Sequence, residues 1–313
     1  MWRIRLTALL FVAGLIGPLL TSTPAEAGSG PLRWVALGDS FAAGVGLGPV
    51  EGTCDQDSYA YPPRATRDIL RRTRTTDLRF LACSGYATLD VWDRQLPSVT
   101  SGHNAASVTV GGNDINFSGR VKGCYIGSCG SDTMSLSAAP ITWDSLYSRL
   151  VTTYVNIRRR MSSTGHLYVV TYPIPFARES SSSCQGLSAT EQNAANALVT
   201  RLGDTIYQAV QRANTLLPAS HGRPGNIHFV DWRRGTRESQ GYTVPSGYSG
   251  AGSHFDTYRS PYGLCNTSGN TPYLNGFVSQ AWANPSRNNS FHPNSTGYWR
   301  AATIVADAIN RYQ

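Results

Sequence analysis

Five short apolar runs punctuate this chain, and between them lie stretches whose apolar residues recur every three or four positions. The runs are Arg33 to Leu37, Leu78 to Ala82, Ala106 to Val110, Leu167 to Tyr172 and Ile227 to Val230. Strand-like segments alternating with helical ones point to a parallel sheet, since parallel neighbours need a crossover connection and the crossover helices cover the sheet. An α/β domain with a central parallel sheet of about five strands is therefore expected.

The helical stretches are Ala60 to Arg72 and Trp143 to Met161, where Leu146, Leu150, Tyr154 and Ile157 form the apolar stripe. Ser188-Ala189-Thr190-Glu191 reads as a capping box, in which the Ser and Glu side chains satisfy each other's orphan amides. It should open a helix from about Ala189 to Leu216. A last helix should begin near Ser295 and run through Tyr298, Ala301, Ile304 and Ala308. Gly112 to Pro140 and Arg234 to Pro285 resist this reading and are expected to be long loops walling a substrate cleft, because loops of that length tend to be functional or pinned. No internal repeat or linker divides the chain.

The first 27 residues have the layout of a Sec-type signal peptide: Arg3 and Arg5, an apolar stretch from Leu6 to Leu20, then Ala25-Glu26-Ala27 as a small-residue cleavage site. A single domain spanning 28–313 and secreted to the extracellular space is the expectation. Beyond the signal peptide no run approaches the ~18 apolar residues that read as a membrane span. Six cysteines follow it, an even number that reads as disulfides in an exported protein. Order along the chain suggests pairing Cys54 with Cys83, Cys124 with Cys129 and Cys184 with Cys265. No Cys-x-x-Cys pair is present, and no metal site is expected. The net charge of +8 is carried almost wholly by arginine, Lys122 being the one lysine. The arginines are scattered rather than striped, which argues for a solvated basic surface and against nucleic acid, with transient contact to a lipid interface left open. A monomer is expected.

Chemistry enters with Gly38-Asp39-Ser40, directly after the apolar run Trp34 to Leu37. Open α/β sheets bind ligands at the carboxyl ends of their strands, so Ser40 is presented where a nucleophile belongs. A serine hydroxyl needs a base to take its proton. Of six histidines, His292 is the one fixed by a following Pro293 and a helix beyond. Acyl transfer also needs donors for the developing oxyanion. Asn113 follows two glycines at a strand end, and Gly85 lies just past another, where the lack of a side chain lets its N–H approach a ligand.

These blocks, Gly38-Asp39-Ser40, Gly85, Gly111-Gly112-Asn113-Asp114 and His292-Pro293, resemble those of the SGNH hydrolases, the GDSL-type esterases, and most closely their secreted forms from high-GC Gram-positive bacteria. The resemblance implies a flavodoxin-like three-layer α/β/α sandwich and carboxylic ester hydrolysis without a cofactor. Ser40 would be nucleophile and His292 base, with an oxyanion hole made by the N–H groups of Ser40 and Gly85 and the side chain of Asn113. Asp39 and Asp114 are expected to serve as hydrogen-bond acceptors in their turns. The family pattern has Asp three residues before the histidine, and this chain has Asn289 there. The expected substitute is a Ser-His dyad in which the backbone carbonyl of Asn289 or Ser290 accepts the Nδ1 proton. Two other readings are a carbohydrate O-acetyl esterase and a catalytically silent surface-binding protein of the same fold.

Overall fold

The structure is a computed structural model that describes residues 30–48, 52–126, 141–177, 183–184, 186–222, 224–233, 236–237, 258–277 and 289–313. The signal-peptide reading lies outside the described residues. Strands β1 (Leu32–Gly38), β2 (Thr76–Phe80), β3 (Ala105–Thr109), β4 (His166–Val170) and β5 (Ile227–Val230) form one parallel sheet in the order β2-β1-β3-β4-β5. This is the flavodoxin-like order, with the chain reversing direction across the sheet between β1 and β3. Right-handed crossovers running toward opposite edges place their helices on opposite faces, which yields three layers.

The central strands are apolar on both faces because both are covered. All of β3 is buried, as is all of β1 except Arg33, whereas edge strand β2 alternates. Inside, Trp34 Nε1 donates to Ser107 Oγ at 3.1 Å, so the buried indole N–H has a partner on the neighbouring strand. β2 begins at Thr76, two residues before the apolar run, because it pairs from Leu32 onward with β1.

The helices are α1 (Ser40–Ala43), α2 (Tyr61–Asp68), α3 (Thr88–Asp90), α4 (Phe117–Ile126), α5 (Trp143–Arg160), α6 (Ala189–His221) and α7 (Ser295–Tyr312). α5 packs on α6, and α2 on α7. Thr142 caps α5 by accepting from Ser145 N, and the fully buried Arg158 donates to the carbonyls of Gly225, Ser162 and Ser163 beyond its end. The Ser188–Glu191 capping box opens α6, which continues past Leu216. Pro218 sits in its last turn, where one lost backbone bond is tolerable, and Gly222 ends it in the left-handed conformation at φ +61°. α4 lies inside a stretch expected to be loop; its two glycines and missing apolar period hide it in the sequence. Short strands β6 (Thr236–Arg237) and β7 (Tyr258–Arg259) pair antiparallel within the second such stretch.

Two disulfides tie loops to this frame. Cys54–Cys83 joins the chain after α1 to that after β2, and Cys184–Cys265 joins the lead-in of α6 to the segment after β7. Spanning 29 and 81 residues, each restrains the unfolded chain by roughly 3–5 kcal/mol on a chain-entropy account. Cys124 is also disulfide-bonded, and Cys129, its expected partner, lies outside the described residues.

At the amino ends of β4 and β5, His166 Nδ1 and His228 Nε2 stand 2.8 Å apart, with Tyr312 of α7 stacked on His228. Burial, then the facing His166, pushes His228 down to about 4, and burial also lowers His166. The unfolded chain therefore binds more protons than the native one between about pH 6.5 and pH 4, so this pair's stability is present above 6.5 and lost as pH falls toward 4. Thermal unfolding should shift to lower temperature across that window, and His228→Phe, which keeps the stack, should flatten the slope.

Candidate active site

The carboxyl ends of β1 and β3 approach so closely at the reversal point that no side chain fits between them. Gly38 has φ +127°, and a Cβ there would overlap the Thr109 carbonyl. The same carbonyl accepts from Asp39 N at 2.9 Å, while Gln95 grips Gly38 from the other side, accepting from its N–H at 2.8 Å and donating to its carbonyl at 2.9 Å. Ser40 therefore leaves the sheet from a fixed point, as the first residue of α1. Asp39 caps that helix by accepting from Phe41 N at 3.0 Å.

His292 meets it from the loop before α7. Its Nε2 lies 2.9 Å from Ser40 Oγ, and its Nδ1 lies 3.2 Å from the backbone carbonyl of Ser290. Both side chains are buried. The carbonyl of Asn289, the other expected acceptor, instead takes the backbone N–H of His292 at 3.2 Å. That bond closes a β-turn over 289–292 whose third residue, Phe291, has φ +59°. Glycine or asparagine normally occupies such a position, and an aromatic residue there costs on the order of 1–3 kcal/mol. The surroundings hold it: Phe291 is buried against Phe176, its N–H donates to Asn275, and Asn275 N donates back to His292. The turn brings the Ser290 carbonyl to the imidazole Nδ1.

The remaining blocks are tied to each other. Asn113 donates from Nδ2 to the Tyr86 carbonyl at 2.9 Å, one residue past Gly85. Asp114 accepts from Thr88 N at 3.0 Å and Thr88 Oγ1 at 2.6 Å, and Arg149 approaches it at 3.7 Å. Cys83 N donates to Gly38 O, which docks the Gly85 block beside the Ser40 turn. Gly85 has φ +82°, yet a Cβ on it would meet nothing within 4 Å, so backbone conformation rather than crowding calls for glycine. Among the described residues no hydrogen bond engages the N–H of Ser40 or Gly85. Ser40 and Asn113 line one pocket, whose apolar wall includes Phe41, Phe117, Val199, Leu202 and Leu274; Gly85 and His292 stand outside that lining.

Burial pushes the Asp39 carboxyl up to about 7 against the opposing hydrogen bonds from Tyr172 and Phe41, and the charge of Asp114 adds to the rise. Burial also raises Asp114, against the bonds from Thr88. Both aspartates are acceptors inside turns, and among the described residues no hydrogen bond joins either of them to His292. Three contributors to this architecture left no mark in the sequence. Gln95 is the last residue of a short irregular helix, Tyr172 reads as the end of a strand, and Tyr298, whose hydroxyl reaches the carbonyls of Val45 at 2.8 Å and Ser40 at 3.3 Å, reads as a core position of α7.

Residues 36–300 match the model of the GDSL-like lipase/acylhydrolase family. The chain belongs to that family. It is a carboxylic ester hydrolase. It is similar to Lipase 1 of Streptomyces coelicolor, with 31% identity over 218 residues that cover 66% of this chain and 78% of the relative. The crystal structure of an extracellular lipase from Streptomyces rimosus superposes with a TM-score of 0.62 at 26% identity, covering 88% of this chain and 99% of that one. A phospholipase A1 from Streptomyces albidoflavus shares the fold, with a TM-score of 0.64 at 23% identity over 90% and 99% of the two chains.

Gly38→Ala tests the joint between β1 and β3. Positive-φ strain and the overlap with Thr109 should together cost about 2–6 kcal/mol in chemical denaturation, and an unchanged midpoint would contradict the close approach described here.

Proposed function

We propose that this chain is a secreted serine esterase of lipase type, working through a Ser40–His292 dyad on acyl lipids or small acyl esters. The observation that carries the reading is the contact of His292 Nε2 with Ser40 Oγ, with Nδ1 facing a backbone carbonyl. Ser40 Oγ attacks the ester carbonyl as its proton passes to Nε2, and the imidazolium returns that proton to the departing alcohol. A water deprotonated by the same nitrogen then releases the acid and restores Ser40. The N–H groups of Ser40 and Gly85 and the second N–H of Asn113 Nδ2 would hold the oxyanion. The Ser290 carbonyl keeps the imidazole in the tautomer whose Nε2 is free to accept, though it offers less charge stabilisation to the imidazolium than a carboxylate.

The largely apolar wall of the pocket beside Ser40 supports an acyl group, rather than a charged one, on that side of the ester. Export is supported by the oxidised cysteines and by an extracellular relative.

Hydrolysis of p-nitrophenyl esters from acetyl to palmitoyl tests the reading. Turnover should favour medium or long chains and vanish in Ser40→Ala; a peak at acetyl would favour a carbohydrate O-acetyl esterase instead. Asn289→Ala keeps the carbonyl that closes the turn, so it should lower kcat by less than about 10-fold, against the ~10⁴-fold or greater loss typical of removing a nucleophile or its aligned partner. A loss equal to that of Ser40→Ala would refute the carbonyl-oriented histidine.

A further inference from the structure

One side chain joins the two turns on which the proposed reaction depends. Tyr172 lies two residues past the end of β4, at the wall of the pocket. Its hydroxyl donates to Asp39 Oδ2 at 2.5 Å and accepts from Gly112 N at 3.0 Å. Asp39 immediately precedes Ser40, and Gly112 immediately precedes Asn113. Gly112 is suited to this contact, since a Cβ there would crowd the phenol ring at 3.3 Å. Phe41, the residue after Ser40, packs edge-on against the same ring with centroids 4.9 Å apart.

We propose that Tyr172 is a positioning residue for ester hydrolysis, its single oxygen clamping the Ser40 turn to the Asn113 turn and so fixing the gap between nucleophile and oxyanion donor. The direction of both bonds supports this. The backbone N–H of Gly112 can only donate, so the phenol oxygen must accept there and spend its one proton on Asp39. Burial, reinforced by the neighbouring Asp39, holds the phenol pKa well above its ordinary value, so the proton stays on Tyr172. Other bonds tie each turn elsewhere: Asp39 N to Thr109, Asn113 Nδ2 to Tyr86. The described hydrogen bonds include no other side chain that contacts both Asp39 and Gly112. The inference rests on the dyad reading above, since a clamp matters only if Ser40 and Asn113 act on one substrate atom.

Tyr172→Phe keeps the ring against Phe41 and removes the oxygen. Misplacing one donor by a fraction of the ~1 Å that costs 10²-fold, where losing it outright costs ~10²–10³-fold, sets the expected fall in kcat at about 10- to 100-fold, with KM within about twofold. In an Asn113→Ala background, where the donor is already gone, the same substitution should cost less than about threefold, because the two act as a unit. Unchanged kcat in a variant that merely melts earlier would overturn the proposal, as would costs that multiply independently in the double variant. If Tyr172→Phe does not fold, Asp39→Asn decides, since its single amide oxygen cannot accept from both Phe41 N and the phenol. A kcat-selective loss that shrinks in the Asn113→Ala background supports the clamp, and an additive or absent loss overturns it. Ser40→Ala run alongside separates the two claims: abolished turnover there with normal Tyr172→Phe kinetics leaves the dyad standing and removes the clamp.

Discussion

Everything in the site hangs on the close backbone contact between the ends of β1 and β3. At the point where strand order reverses, the two connections leave in opposite directions and open a crevice between them. Gly38 lets the chains touch there, Thr109 supplies the carbonyl that anchors Asp39, and Gln95 satisfies the remaining groups of Gly38. Ser40 and Asn113 consequently emerge on opposite lips of one crevice. The sheet sets where the two turns leave it, the loop before α7 supplies the histidine, and helices α1, α4 and α6 supply much of the pocket wall.

The histidine is positioned by different means. A carboxylate three residues upstream would orient an imidazole by charge; here a β-turn does it by shape, with Phe291 held at positive φ so that the Ser290 carbonyl meets Nδ1. The strain is borne by burial of the phenyl ring and by the reciprocal backbone bonds between Asn275 and the turn. Such an arrangement gives up part of the electrostatic stabilisation of the imidazolium while keeping the tautomer. It also explains how Asn can stand at position 289, because what that residue contributes to the turn is its carbonyl.

Much of this was legible in the residues. Apolar runs and capping chemistry located the five strands and the long helices, since burial on both faces and orphan amides at helix ends impose local patterns. Glycines at strand ends marked where Ser40, Gly85 and Asn113 would project. The choice between Asn289 and Ser290 was not legible, because it depends on the φ of Phe291, a residue whose identity argues against the conformation it adopts. Helix α4 was hidden by Gly119 and Gly123, and Tyr172 and Gln95 by the nonlocal nature of their bonds, to positions 133 and 57 residues away in sequence respectively. Local sequence encodes elements well, whereas a contact between two strand ends exists only once the sheet has closed.

The central claim is that Ser40 becomes covalently acylated. The most direct test is to treat the oxidised, mature protein with a fluorophosphonate and locate the adduct by peptide mass spectrometry. A single adduct on the Ser40 peptide, formed in step with loss of esterase activity, is the predicted result. Full activity loss with the adduct on another residue, or an active enzyme that takes up no label, would contradict the account.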